Sequence, residues 1–239
     1  MSSTRKVYAL IPAAGIGSRL SGIELDRKGE SKVLIEILNQ SLIQRNLKSL
    51  EETNLFTGIV IVAKKTDFAP ISAVLSLLNS SLDIELVEGG ASRQESVYNG
   101  LLALESKADI VAIHDGARPF CSAKKIIEVI DAASNYRAAI LALPAKNSIK
   151  EVSPEMAVIK SIKREIIWEA QTPQVFDYEL ILRAHQDAIA EGYQATDDSE
   201  LVERLGHEVK IVLGEENNIK VTTPQDIVIA KYLIENNIS

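Results

Sequence analysis

The stretch Lys6-Val7-Tyr8-Ala9-Leu10-Ile11-Pro12-Ala13-Ala14-Gly15-Ile16-Gly17-Ser18-Arg19-Leu20 decides the fold. Lys6 to Ile11 is a short apolar, β-branched run that reads as a buried strand, and it stops at Pro12 in a loop of small residues. In an α/β sheet the crevice at the carboxyl ends of the strands is where ligands bind. Alanines and glycines let backbone N–H groups approach an anion without obstruction, and Arg19 adds charge and a bidentate fork. The loop is not a full dinucleotide fingerprint, because the third glycine position is Leu20, and it is not a P-loop, because no Gly-Lys-Ser/Thr follows. On this segment alone, Gly15 and Gly17 are equally well explained by a tight turn.

Working outward, short β-branched runs alternate with stretches of helical period, the pattern of a mostly parallel sheet with helices on both faces. Strands are expected at Lys6 to Ile11, Gly58 to Ala63, Ile84 to Val87, Ile110 to His114, Ala138 to Leu143 and Val209 to Leu213. Helices are expected at Gln40 to Glu52, Pro70 to Leu78, Arg93 to Leu104, Lys124 to Asn135, Tyr178 to Glu191, Ser199 to Leu205 and Pro224 to Asn236. Pro224 suits a first helical turn, and Asp198 or Ser199 suits a cap. Nothing marks a domain boundary, so residues 1–239 are expected to form one domain. One stretch breaks the rhythm: Ser148 to Val152 and Val158 to Ile162, separated by Ser153-Pro154-Glu155, read as a hairpin arm at about 146–172. Its apolar residues, Ile149, Val158, Ile162, Ile166 and Ile167, would be exposed unless they docked, most simply on a second copy in a homodimer.

Composition bounds the function. The 239 residues carry 26 Lys and Arg against 33 Asp and Glu, a formal charge of -7, which gives no global positive field to hold a long polyanion. No nucleic-acid partner is expected. The apolar runs are far shorter than the ~20 residues that span a bilayer, so no membrane association is expected either. The single cysteine, Cys121, reads as a small buried hydrophobe in a reducing compartment, and a cytoplasmic enzyme is the expectation.

Several segments carry groups suited to anions. Lys32, in Ser31-Lys32-Val33, follows a polar stretch and gains interest from the glycine loop and Arg19 before it. Glu88-Gly89-Gly90-Ala91-Ser92-Arg93-Gln94-Glu95-Ser96 is a second glycine turn feeding a helix; Gly89 and Gly90 free the backbone to meet a flat base, and Ser96 offers a hydroxyl. Arg93 reads equally well as a residue that pins this loop. His114-Asp115-Gly116-Ala117-Arg118-Pro119 closes the fourth strand, and a carboxylate there suits a divalent cation completed by substrate phosphates. His114 has no ligand partner at metal spacing and reads as structural. Lys220 and the Thr196-Asp197-Asp198 cluster say little alone, since capping explains the latter.

Taken in order, these segments resemble the cytidylyltransferases of the isoprenoid pathway: PAAGxGxR at 12–19, GGxxRxxSV at 89–97, HDGARP at 114–119, TPQ at 172–174, TDD at 196–198 and NIKVTTP at 218–224. The resemblance implies a Rossmann-like nucleotidyltransferase fold with a projecting β-arm that builds a homodimer. It implies transfer of CMP from CTP to 2-C-methyl-D-erythritol 4-phosphate with Mg²⁺. It places Ala13, Ala14, Gly15 and Gly17 around the phosphates, Gly90, Ala91 and Ser96 at the cytosine, and Asp115 and Ala117 near ribose and metal. Arg19, Lys32 and Lys220 would be the catalytic cations. Arg118, Ser148, Arg164, Thr172 and Lys220 would hold the sugar phosphate, with Ser148 and Arg164 reaching into the partner subunit's site. The sequence departs from the family pattern in three places. Ser31-Lys32-Val33 stands where the family reads PKQ, after a longer stretch. Asn147-Ser148 replaces an acid and a threonine, and Ala91 replaces a polar residue. The competing readings are a ribitol 5-phosphate cytidylyltransferase, a nucleotide-binding protein without catalysis, and an NAD-binding oxidoreductase, the last disfavoured by Leu20.

Overall fold

The computed structural model of the chain describes residues 5–15, 31–78 and 80–238. Strand β1 (Val7–Pro12) comes first, then the small hairpin β2 (Glu36–Ile37) and β3 (Gln40–Ser41), helix α1 (Leu42–Glu52) and strand β4 (Phe56–Ala63). Helix α2 (Phe68–Ser76), β5 (Asp83–Glu88), α3 (Arg93–Ala103), β6 (Ile110–Ile113), α4 (Ala123–Tyr136) and β7 (Ala138–Pro144) continue the alternation. A hairpin of β8 (Ile149–Val152) and β9 (Val158–Ile162) precedes β10 (Trp168–Asp177) and α5 (Tyr178–Glu191). Helix α6 (Asp198–Arg204), β11 (Lys210–Leu213) and α7 (Pro224–Glu235) follow.

Among the described residues seven strands form one sheet in the order β11-β7-β10-β6-β1-β4-β5. Every pairing is parallel except those of β10, which runs antiparallel between β6 and β7. The central strands are apolar on both faces because both are covered. Ala9, Ile11, Ile59 and Ile61 pack under α1 and α4 through Leu47, Ile126 and Ile130. Leu10, Val60, Val62 and Val111 pack under α3 and α5 through Val97, Leu101 and Ile181. Cys121 lies in the first of these cores, and burial pushes its thiol pKa up.

Two elements depart from the sequence expectation. Strand β10 lies in the middle of the sheet, although Pro173 lacks an N–H and argues against a central strand. A register shift between Gln171 and Gln174 against β7 lets the ladder skip the proline, while Gln174 to Asp177 pair with β6. Residues 168–172, counted with the arm on sequence grounds, are thus part of the seven-stranded sheet. The β2–β3 hairpin turns on Leu38 and Asn39, with φ of 52° and 65°, a primed turn that a leucine does not advertise. Caps also differ in detail. Thr223 caps α7 with Pro224 in its first turn, as the proline suggests, but α6 is capped by Asp197, which accepts from the Glu200 N–H at 3.0 Å. Asp198, one residue further in, is turned into the protein and is 1% exposed. No helix of the described residues is long and apolar enough to cross a membrane.

Helix α3 sits close on the sheet because Gly100 has no side chain: a Cβ there would lie 2.7 Å from Val62 Cγ2 and 2.8 Å from Leu10 Cδ1. Both neighbours are fully buried, so neither can swing into solvent. Gly100→Ala is expected to lower the unfolding free energy by about 1–3 kcal/mol, an overpacking cost that outweighs alanine's better helix propensity. Urea denaturation of the two proteins checks this; an equal or higher midpoint for the variant would show that α3 can lift without loss.

Candidate active site

The site lies at the carboxyl edge of the sheet, where the ends of β1, β5 and β6 and the loop before α7 meet. After β1, the Ala13 N–H donates to the Val62 carbonyl at 2.7 Å and its own carbonyl accepts from Ser31 Oγ at 2.6 Å. Ser31 thereby brings the single helical turn Lys32–Leu34 beside the small-residue loop. Val33 fixes the other side: a Cβ on Gly116 would come within 2.5 Å of Val33 Cγ1, so the Lys32 turn and the loop after β6 interlock. Gly15 is exposed. Gly17 and Arg19, together with Lys28, lie outside the described residues.

The second glycine turn packs on the first. A Cβ on Gly89 would meet Ala14 Cβ at 2.7 Å and Ser96 Oγ at 3.0 Å, so only glycine allows the two loops to touch. Ser96 is buried, donates to the Ser92 carbonyl at 2.8 Å and accepts from the Gly90 N–H at 3.1 Å. The Ala91 N–H donates to Glu95 Oε2 at 2.7 Å, and the Glu95 side chain covers Gly90. Ala91 itself is exposed.

Asp115 is the electrostatic centre. Its Oδ1 accepts a fork from Arg93, with Nε and Nη2 both at 3.2 Å, and its Oδ2 receives Lys220 Nζ at 2.5 Å. Burial pushes this carboxyl's pKa up, but the charges of Arg93 and Lys220 outweigh burial and hold it well below the usual carboxylate range. Arg93 in turn reaches Asp198 Oδ2 with Nη1 at 2.8 Å, and Asp198 Oδ1 lies 3.3 Å from the fully buried His185. Burial works against the guanidinium's charge, yet the two aspartates more than compensate and raise its pKa. Neither His185 nor the inward-facing Asp198 was legible as part of this chain: one acid of a capping pair looks like the other until the helix start is fixed.

The backbone of Asp115 is held as firmly. Its N–H donates to Thr172 Oγ1 at 3.0 Å, and that hydroxyl sits 3.1 Å from His114 Nδ1. Because the Arg118 carbonyl can only accept, the other ring nitrogen, Nε2, carries the hydrogen and donates to it at 3.0 Å, which leaves Nδ1 to accept from the Thr172 hydroxyl. The structure thus gives His114 the structural role expected of it. Arg118 Nη1 donates to the Asn218 carbonyl at 2.7 Å, and the Ala117 carbonyl accepts from the Val221 N–H at 2.8 Å, which draws Lys220 in. Thr172, Arg118, Lys220 and Asp115 are therefore one cluster. Ser148 and Arg164 stand on the hairpin arm, both exposed, and Arg164 Nη1 donates to the Lys146 carbonyl at 3.0 Å.

Small-residue loops beside a cation-bracketed carboxylate, at the carboxyl edge of a largely parallel sheet, define an α/β nucleotidyltransferase. A sequence profile of 2-C-methyl-D-erythritol 4-phosphate cytidylyltransferase matches residues 7–236. The chain belongs to that family. Its relatives of this name include one from Nostoc punctiforme, 39% identical over 95% of this chain and 98% of the relative, and one from Desulforamulus reducens, 41% identical over 96% of each. The structure is similar to that of the 4-diphosphocytidyl-2C-methyl-D-erythritol synthase of Anaerococcus prevotii, with a TM-score of 0.84, 30% identity and coverage of 98% of this chain and 100% of the other. The 2-C-methyl-D-erythritol 4-phosphate cytidylyltransferase of Thermus thermophilus gives a TM-score of 0.77 at 30% identity, covering 96% and 99%.

Burial lowers the His114 pKa to about 4 from its ordinary 6.5. Between these two values the unfolded chain binds the proton and the folded chain does not, so stability is lost as pH falls from 6.5 towards 4. The loss is expected to be about 3 kcal/mol over that range, at ~1.4 kcal/mol per pH unit. Chemical denaturation at pH 7 and pH 4 measures it, and His114→Gln should flatten the slope. A wild-type stability that is level from pH 6.5 to 4 would contradict the neutral, buried imidazole.

Proposed function

We propose that this chain transfers CMP from CTP to 2-C-methyl-D-erythritol 4-phosphate, releasing pyrophosphate and forming 4-diphosphocytidyl-2-C-methyl-D-erythritol. The reading rests on family membership and on one observation: Arg93, Lys220 and Arg118 surround Asp115 beside two small-residue loops that pack on each other. Attack by a phosphate monoester on the α-phosphorus brings two anions together, so the protein's task is to neutralise and align them. Ala13, Ala14 and Gly15, with Gly17 and Arg19, take the triphosphate, and Gly90, Ala91 and Ser96 frame the cytosine. Ala117 lies by the ribose. Lys32, brought in by Ser31, offsets charge developing on the α-phosphate. Lys220, Arg118 and Thr172 hold the incoming monoester so that its oxygen stands in line with the departing pyrophosphate.

Among the described residues no group of three or more His, Cys, Asp or Glu could hold a metal unaided. Magnesium needs less, because it keeps much of its shell as water and phosphate oxygen and commonly takes one or two carboxylates. Asp115, kept ionised by its neighbours and with a second lone pair on Oδ2 beside the one that meets Lys220, fits that requirement. When bound, the ion would screen the charge of the triphosphate.

The hairpin arm supports a homodimer. Val152, Met156, Val158, Ile159 and Ile166 are all exposed on it or at its base, and a second copy would bury them. In that dimer Ser148 and Arg164 of each arm complete the neighbour's site, where the planar guanidinium holds a phosphate bidentately. A cytoplasmic location is part of the same reading.

Purified protein is expected to release pyrophosphate from CTP and Mg²⁺ only when methylerythritol phosphate is added, and to do so more slowly with ribitol 5-phosphate. Lys32→Ala should lower turnover at least a hundredfold with the fold intact, in line with the ~3–4 kcal/mol carried by a lost oxyanion donor elsewhere. Near-normal activity would move the role to another lysine, Lys28 first. A mixing experiment tests the shared site: Lys32→Ala and Arg164→Ala chains, each nearly inactive alone, should regain activity once subunits exchange. Verified exchange without recovery would place Arg164 outside the partner's site.

A further inference from the structure

Asn218 lies two residues before Lys220 and is fully buried. Its Nδ2 donates to the Thr172 carbonyl at 2.9 Å, and its own carbonyl accepts from Arg118 Nη1 at 2.7 Å. The same carbonyl and side chain face Gln171, which stands 3.5 Å from each and donates through Nε2 to the Glu215 carbonyl at 2.9 Å. Gln171 Oε1 accepts from the Glu215 N–H at 3.3 Å, and it reaches that far only because residue 214 is glycine, where a Cβ would stand 2.2 Å from the same oxygen. Glu215 is itself anchored, its carboxylate accepting from the N–H and Oγ of Ser122, the cap of α4, at 3.1 and 2.8 Å. Three residues read as holding the sugar phosphate thus converge on one buried residue: Arg118 on its backbone carbonyl, Thr172 on its side-chain amide, and Lys220 two residues further along the chain.

We propose that Asn218, braced by Gln171, is a positioning residue for the sugar-phosphate half of the site, setting Arg118 and Lys220 at a fixed distance from Thr172. This rests on the reading of the site given above. The physical ground is that both cations carry flexible stems, so their placement must come from what grips them. Arg118 is gripped at its guanidinium by the Asn218 carbonyl, and Lys220 through the short covalent path from Asn218 and the Val221 to Ala117 hydrogen bond. The nucleotide loops at Ala13 to Gly15 and Gly89 to Ser96 make none of these contacts. The amide ties the backbone that carries the Arg118 acceptor and Lys220 to Thr172 and Gln171, so losing it should let that backbone shift, disturbing one substrate and sparing the other.

The test measures steady-state kinetics of wild type, Asn218→Ala, Lys220→Met and the double variant, with CTP and with the polyol phosphate varied in turn. Asn218→Ala is expected to raise KM for the polyol phosphate at least tenfold while changing KM for CTP less than threefold. Its effect on kcat/KM should shrink to within threefold in the Lys220→Met background, the non-additivity of residues that act through one another. Gln171→Met, close in size and without polar atoms, should shift the same KM in the same direction by a smaller factor, and it serves if Asn218→Ala does not fold. Equal rises in both KM values, or full additivity in the double variant, would overturn the inference and leave the proposed activity standing. Wild type inactive with both methylerythritol phosphate and ribitol 5-phosphate would overturn the activity and the inference together.

Discussion

A buried carboxylate between two cations organises this molecule. Asp115 is 7% exposed, and an unpaired charge so placed would be destabilising by several kcal/mol. Arg93 from the start of α3 and Lys220 from the loop before α7 remove that penalty, and so three distant parts of the chain must come together for any of them to be stable there. Removing one partner would leave the other charges uncompensated, whereas Asp115 together with Asp198 balances Arg93 and Lys220. The same contacts hold both cations towards one spot.

The surrounding contacts follow from that requirement. Arg93 has a second carboxylate, Asp198, on its far side, so its fork cannot turn away from Asp115. Gly89 lets the second glycine turn press on Ala14, and Gly116 lets the Lys32 turn press on the loop after β6. The site is therefore a junction of loops fixed by close backbone approaches, with side-chain charge concentrated at its centre. The sheet contributes by ending its central strands, β1, β4 and β6, in adjacent register, so that Ala13 and His114 both hydrogen-bond back to it.

Much of this was legible in the sequence, and the remainder was hidden for identifiable reasons. Short apolar runs set the positions of β1, β4, β6 and β7 to within a residue or two, and Tyr178 to Glu191 is a helix over the bounds its periodicity gives. Strand β10 was missed because Trp168-Glu169-Ala170-Gln171-Thr172-Pro173 has neither alternation nor an apolar run; its pairing with β6 and β7 is supplied by tertiary context, and the skipped register at Pro173 leaves no local mark. The site residues Asp115, Lys220 and Arg118 were named from motifs, but their mutual contacts span about a hundred residues of chain. Gln171 and His185 carried no signal at all, and Asn218 stood at the head of the NIKVTTP match with no sign of its role, since a buried amide or imidazole is indistinguishable from a surface one until its partners are in place.

The hairpin arm leaves the sheet after β7 and returns to it as β10, two strands that lie side by side, and the Ala145 N–H to Ile167 carbonyl bond at 2.9 Å closes its neck. In topological terms the arm is a loop between neighbouring strands whose ends the main sheet already holds together. Closing such a loop becomes only slowly more costly as it lengthens, by about 0.6 kcal/mol for each doubling. Residues can thus be gained or lost beyond Ala145 and Ile167 without disturbing the pairing of β7 with β10. The arm is therefore a place where descendants of this sequence can vary in length while the seven-stranded sheet stays unchanged.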